Sequence, residues 1–108
     1  MESFQFRSER IEPVRVGPVL DRVEALLVKY ATGYSVESVS MMPHKELAGP
    51  NELSVQRAEE DEVAKCLNYW CEQLESHLDN GGTVENFAAE NVWFVPFLQK
   101  ALSIQASK

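Results

Sequence analysis

Apolar residues recur at helical spacing between Asn51 and Gly82, and this repeat is the clearest pattern in the chain. At about 100° per residue, the apolar side chains fall within an arc of roughly 140°. They are Val63, Cys66, Leu67, Trp70, Cys71, Leu74 and Leu78. The pattern predicts one long amphipathic helix that begins between Glu52 and Arg57. It should end at Asp79-Asn80-Gly81-Gly82, whose residues tolerate the left-handed conformation.

Three further helices are predicted from the same kind of spacing. The first covers residues 18–31, where Pro18 suits a first helical position and Gly33 suits a terminator. A short helix covers residues 84–90, with Thr83 as its N-cap. The last helix covers residues 96–104, because Pro96 lacks an amide donor and cannot sit inside a straight helix.

Three short segments predict strands instead. Apolar and polar residues alternate at Phe4-Gln5-Phe6-Arg7 and at Val14-Arg15-Val16, and residues 34–42 are rich in β-branched and aromatic side chains. We therefore expect a single α+β domain over residues 1–108, predominantly helical, with a small sheet packed against two to four helices. An all-α bundle is the alternative.

No segment of the sequence predicts a membrane span or a secretory leader. The longest apolar run, residues 92–98, is far shorter than the roughly 20 residues that cross a bilayer. The first fifteen residues alternate charged and apolar side chains and contain no apolar core of a signal peptide. We therefore expect a cytoplasmic protein that does not bind membranes.

The net charge is −7, and the acidic residues are concentrated in the middle of the chain. Between Glu46 and Glu90 there are eleven acids, against only Arg57 and Lys65. A surface of this sign repels phosphate backbones, so nucleic-acid binding is not expected. A basic protein partner is favoured, mainly through its rate of association.

Motifs for catalysis or metal binding are missing from the sequence. Cys66 and Cys71 lie on opposite margins of the predicted apolar face, too far apart for a disulfide or a shared metal. His44 and His77 have no ligand spacing, and no nucleophile signature surrounds them. Gly81-Gly82-Thr83 lacks the lysine of a phosphate-binding loop. We predict no catalytic residue, no metal and no cofactor, hence a protein that is not an enzyme.

Aromatic residues cluster near the C-terminus, beside Pro96, and they either close the core or meet a partner. The leading interpretation is a small acidic, non-enzymatic protein–protein interaction module of the inhibitor, immunity, adaptor or chaperone kind. It would use an acidic helix face and aromatic anchors. The predicted contact residues are Glu59, Glu60, Asp61, Glu62, Tyr69, Glu72, Glu75, Trp93 and Phe94.

A homodimer is also expected, because it is the commonest way to cover exposed aromatic residues. It leads to the alternative function, a small-molecule-binding or enzymatic domain whose pocket lies at the homodimer interface. That pocket would lie near Tyr34, His44, Trp70 and Trp93.

Overall fold

The computed structural model describes residues 15–107, which form six α-helices and no strand. The helices are α1 (Val16–Lys29), α2 (Val36–Ser40), α3 (Pro50–Arg57), α4 (Glu60–Asp79), α5 (Val84–Glu90) and α6 (Phe94–Ala106). The predicted α+β fold with a small sheet is therefore wrong, and the described residues belong to the all-α class that was the alternative. None of these helices is long and apolar enough to cross a membrane.

The predicted strand at residues 34–42 is instead the short helix α2. The side chain of Ser35 accepts a hydrogen bond from the Ser38 amide at 3.1 Å, and the Ser38 hydroxyl accepts one from the Ser35 amide at 2.8 Å. This reciprocal cap satisfies amides that a helix end would otherwise leave free. Val36 and Val39 are buried three positions apart, which is helical spacing. Local capping therefore outweighs the β-propensity of the valines.

Of the two strands predicted near the N-terminus, one lies outside the described residues and the other lies partly within them. The segment at residues 4–7 lies outside the described residues. Of the second segment, Val14 also lies outside the described residues, Arg15 is extended, and Val16 already opens α1, so neither Arg15 nor Val16 belongs to a strand. The amide of Val16 donates a hydrogen bond to the Glu60 carboxylate at 3.1 Å, which satisfies one donor at the start of α1. Pro18 then falls within the first turn, where its missing amide leaves no bond unmade.

The long central helix of the prediction is two helices. Ala58 is extended (φ −63°, ψ 136°) and separates α3 from α4. The amide of Glu59 donates to the Glu62 carboxylate at 3.0 Å, so α4 has its own cap. The helix α5 has the predicted bounds, and Thr83 accepts from the Asn86 amide at 3.1 Å. The helix α6 begins at Phe94, two residues before the predicted start.

The helix α4 lies at the centre of the fold, with α1 and α6 packed against it. The buried cluster draws residues from every helix except α3. Residues of α4 that face the core are Val63, Ala64, Leu67, Cys71, Leu74 and Leu78. Cys66 and Trp70, which were predicted to share this face, are only half-buried at its margin. The buried face thus packs against both α1 and α6, and the margin of the apolar arc that carries Cys66 reaches the surface.

Candidate functional site

A hollow of about 390 Å³ opens on the surface between α4 and the start of α6. Its lining side chains are Lys65, Cys66, Tyr69, Trp70, Trp93 and Phe97, and we call it the aromatic hollow. Both walls have the same construction. On α4, Cys66 and Trp70 are four positions apart, as are Trp93 and Phe97 at the start of α6. Residues at this spacing lie on one side of a helix, so each helix presents a short row of side chains.

The rings of the hollow contact one another and the core. Tyr69 and Trp70 meet edge to face, with centroids 4.9 Å apart and planes at 75°. Trp93 and Phe97 stack at 6.0 Å. Behind them Phe87 contacts Trp70 at 6.2 Å. These edge-to-face and offset arrangements are the favourable ones for aromatic pairs. The surface rings therefore rest on a packed layer that holds them in place.

Solvent exposure divides the predicted aromatic contacts into two groups. Tyr69 is 54% exposed, and Trp93 is half-buried in the wall of the hollow. Phe94 is 0% exposed and meets Phe87 edge to face at 5.0 Å. The prediction that Phe94 contacts a partner is therefore not supported by its position, because its side chain is part of the core. Of the neighbouring residues, Trp93 and Phe97 remain accessible.

The predicted acidic face is divided between two sides of α4. Glu60 accepts the Val16 amide, and Glu75 forms an ion pair with Lys29 at 3.3 Å, so both attach α1 to α4. The hydrogen bond from Lys29 to Glu75 raises the pKa of the lysine. Asp61 is half-buried, whereas Glu59 and Glu72 are exposed.

Glu62 is the predicted acid that lies beside the aromatic hollow. At about 100° per residue it shares one side of α4 with Cys66 and Tyr69, away from α1. Burial first, and the negative charge of Glu62 second, raise the pKa of the Cys66 thiol. The Cys66 thiol is therefore neutral at pH 7, and its weak nucleophilicity suits a contact residue better than a reacting one.

The described residues offer no metal site and no second thiol partner for Cys66. No group of three or more His, Cys, Asp or Glu residues within positions 15–107 is arranged to hold a metal ion. Cys71 is fully buried, and burial raises the pKa of its thiol. Both cysteines are free.

The four residues of the alternative pocket lie in three separate hollows of the chain. Trp70 and Trp93 line the aromatic hollow. Tyr34 lines a hollow of about 210 Å³, where its hydroxyl donates a hydrogen bond to Glu85. His44 lines another, of about 390 Å³, and its Nδ1 lies 3.0 Å from the Met42 carbonyl oxygen. One chain therefore does not assemble these residues into a common pocket.

Four residues of the aromatic hollow were absent from the predicted contact set. Cys66 and Trp70 had been placed on the apolar face, and Lys65 had not been considered as a contact. Trp70 and Phe97 were among the aromatic residues that could meet a partner, but they were not included in the contact set. A signal for the first pair was present in the sequence, because Cys66 lies at the outer margin of the apolar arc. Residues at such a margin reach the surface when the neighbouring helix packs on the other side.

Comparison of the chain with protein-family models, with curated protein sequences and with solved structures gives no match.

Proposed function

We propose that the protein is a non-enzymatic interaction module that binds a partner protein through the aromatic hollow. The observation that carries the proposal is the exposure of Tyr69 at the mouth of a hollow whose other rings, Trp70, Trp93 and Phe97, are half-buried. Aromatic side chains are the commonest anchors of protein interfaces, because they bury much apolar area with little loss of side-chain freedom.

The chemistry of the lining supports binding more than it supports catalysis. The described residues that line the hollow carry few polar groups, namely the indole N–H groups of its two tryptophans, the ammonium of Lys65, the thiol of Cys66 and the hydroxyl of Tyr69. A nucleophilic enzyme needs a base within hydrogen-bond reach of an activated nucleophile. Among residues 15–107, neither a carboxylate nor an imidazole lines the hollow, and the pKa of the Cys66 thiol is raised.

The charge of the chain favours a partner of positive charge. The whole chain carries −7, and Glu62 lies beside the hollow. Opposite charges around an apolar anchor raise the rate of encounter and exclude partners of the wrong sign. We place the inhibitor, immunity, adaptor and chaperone classes within this proposal, since all of them act by occupying a partner surface.

A photo-crosslinking residue at position 69 tests the proposal. The full chain carrying the crosslinker at Tyr69 is produced in its native cells, and the matched control carries it at Val28, which is 68% exposed on α1. We expect an adduct with a second protein from position 69 and not from position 28. That protein, once purified, should bind the chain directly, and Tyr69→Ala should weaken binding by about tenfold or more.

Three results would contradict the proposal. Equal crosslinking from both positions would show that the hollow has no special role. If Tyr69→Ala left the affinity for the purified partner unchanged, the partner would bind elsewhere on the surface. An adduct of two copies of the chain, with no other protein, would indicate the predicted homodimer in place of a different partner.

A further inference from the structure

We infer that the partner segment that occupies the aromatic hollow is a basic amphipathic helix of about four turns, supplied by a different protein. This inference rests on the proposed function and adds the chemistry of the partner to it. Four observations support it: the spacing of the side chains in the two walls, the exposed acids Glu59, Glu62 and Glu72, the charges of this chain's own helices, and the length of the acidic rim that these three acids form.

The spacing of the walls fits a helix. Cys66 and Trp70 form a row on α4, and Trp93 and Phe97 form a row at the start of α6. Rows of side chains four positions apart on two helices leave a groove into which a similar row of a third helix packs. Addition of a strand requires the free edge of a sheet. Residues 15–107 contain no strand and thus offer no such edge.

Glu62 lies beside the hollow, and helical spacing puts two further exposed acids, Glu59 and Glu72, near the same side of α4. Glu59 and Glu62 precede Cys66 on α4, and Glu72 follows Tyr69 by three positions. Within residues 15–107, the carboxylates of these three residues form no ion pair. Of the described residues, Lys65 is the one cation that lines the hollow. The rim is thus negative overall, and a helix with Lys or Arg beside its apolar row complements it.

Neither the helices of a second copy nor residues 1–14 of this chain are strongly basic. The charged residues of α1 and of α3 cancel, whereas α4 and α5 are negative. The helix α6 carries Lys100 as its single charged residue. Residues 1–14 contain three acids and two bases. The helices of a second copy that are not acidic are neutral or carry a single lysine, so none of them complements the acidic rim as well as a basic helix does.

The acidic rim sets the length of the partner helix. At a rise of 1.5 Å per residue, the stretch of α4 from Glu59 to Glu72 extends over about 20 Å. A helix that follows the hollow over this distance has about 14 residues. Its apolar side chains would recur at i, i+4, i+7 and i+11, so that one row faces the rings.

The test uses the purified full chain and three synthetic 16-residue peptides. The first has leucine at i, i+4, i+7 and i+11, with lysine at most other positions. The second keeps the leucines and replaces every lysine with glutamate, and the third has the composition of the first with the leucines spread around the helix. Both tryptophans of the chain line the hollow, so a titration followed by tryptophan fluorescence reports on this site.

We expect the first peptide to bind at least tenfold more tightly than either of the others. Glu62→Lys should weaken its binding about fivefold or more, and Lys65→Glu should strengthen it. The control Glu52→Lys makes the same change of net charge at an exposed position on α3 that lines a different hollow. It should change the affinity by less than about twofold at 0.15 M salt, where the Debye length is about 8 Å.

Failure of this inference is distinguishable from failure of the proposed function. The inference that the partner is a basic amphipathic helix would be overturned if the basic and acidic peptides bound equally. It would also be overturned if the first peptide and the peptide with spread leucines bound equally. An equal effect of Glu52→Lys and Glu62→Lys would overturn it too, because only net charge would then matter. The crosslink from Tyr69 to a second protein is a separate measurement, and the proposed function stands or falls by it.

Discussion

Trp93 and Phe97 stack at the start of α6 with ring centroids 6.0 Å apart and planes inclined by 30°. Between them lies Phe94, whose ring points the other way, into the core, where it meets Phe87 at 5.0 Å. Within one turn the chain thus places aromatic rings on both sides of α6. The buried ring fixes the helix, and the two stacked rings are held at the wall of the aromatic hollow.

Loss of the buried ring and loss of the exposed ring should have different effects on stability. Phe94→Ala removes a side chain that is 0% exposed, and we expect it to lower the free energy of unfolding by about 3–5 kcal/mol. Tyr69→Ala removes one that is 54% exposed, and it should cost less than about 1.5 kcal/mol. Urea unfolding followed by circular dichroism measures both. Similar losses from the two substitutions would contradict the assignment of Phe94 to the core and Tyr69 to the surface.

Gly82 is confined by the imidazole of His77. A Cβ atom on residue 82 would collide with that ring, whose Nε2 lies 2.9 Å from the Thr83 carbonyl oxygen. The ring also lies against Phe87, with centroids 5.5 Å apart. We expect Gly82→Ala to displace the ring and to lower the free energy of unfolding by about 1–2 kcal/mol.

A double-mutant cycle checks the cause of this loss. In a His77→Ala background the collision is absent, so Gly82→Ala should there be nearly neutral, which corresponds to a coupling of about 1–2 kcal/mol. Gly33→Ala is the control for glycine loss as such, because Gly33 has φ +80° and no atom near its Cβ position. Gly33→Ala should destabilise the protein equally in both backgrounds. Additive effects of the substitutions at 77 and 82 would contradict the collision.

Periodicity made α1 and α4 predictable, whereas single residues, the Thr83 cap and Pro96, indicated α5 and α6. The bounds of α5 follow from Thr83, whose side chain caps the helix as the residue type suggests. The helix α2 has only five residues, too few for a helical period to be distinguished from alternation. Its formation depends on the reciprocal bonds of Ser35 and Ser38. The break at Ala58 was hidden because α3 buries only one residue, Val55, and so carries almost no pattern.

The aromatic hollow was predicted only in part. A helical wheel shows which residues share one face of a helix, but it does not show which other helix packs against the edges of that face. Tyr69 and Trp93 were identified from residue type, since aromatic anchors are common at interfaces. Phe94 and Trp93 are adjacent in sequence, and only the packing of α6 determines which of the two is buried. Glu60 and Glu75 were assigned to the same acidic face as Glu62. Their bonds to Val16 and Lys29 show that α1 packs against that side of α4.

The hydrogen bond between Tyr34 and Glu85 should make stability depend on pH. It lowers the pKa of the Glu85 carboxyl and raises the pKa of the Tyr34 hydroxyl. A lowered carboxyl pKa contributes stability above the reference value of 4.5, and this contribution disappears as the pH falls through the folded-state pKa. A raised tyrosine pKa contributes below the reference value of 10.0 and is lost as the pH rises through the folded-state pKa.

Tyr34→Phe should therefore lower the Tm throughout the range from about pH 5 to pH 9, and the difference from the parent protein should shrink outside it. Both groups are at the surface, where water competes for the hydrogen bond, so the difference should be small. Thermal unfolding over a pH series measures it. In a Glu85→Gln background, Tyr34→Phe should no longer alter the acid side of the profile. A difference that persists unchanged at low pH would contradict the role of the carboxylate.

The two thiols should differ in their reaction with iodoacetamide. Cys66 is half-buried in the wall of the aromatic hollow, and its thiol pKa is raised, so it should alkylate more slowly than free cysteine at pH 8. Cys71 is 0% exposed and should react only after unfolding. Glu62→Gln removes a charge that helps to raise the pKa of Cys66, so it should accelerate alkylation of Cys66 and leave Cys71 unchanged.

Mass spectrometry of peptides from a time course distinguishes the two sites. A pH series distinguishes a change in the ionised fraction of the Cys66 thiol from a change in its accessibility to iodoacetamide. If Glu62 acts through charge, the acceleration in Glu62→Gln should be present near pH 8 and should vanish at a pH where the thiol is ionised in both proteins. An acceleration of the same size at every pH would mean that the substitution had opened the hollow. The Glu52→Gln control, on α3, should leave both rates unchanged.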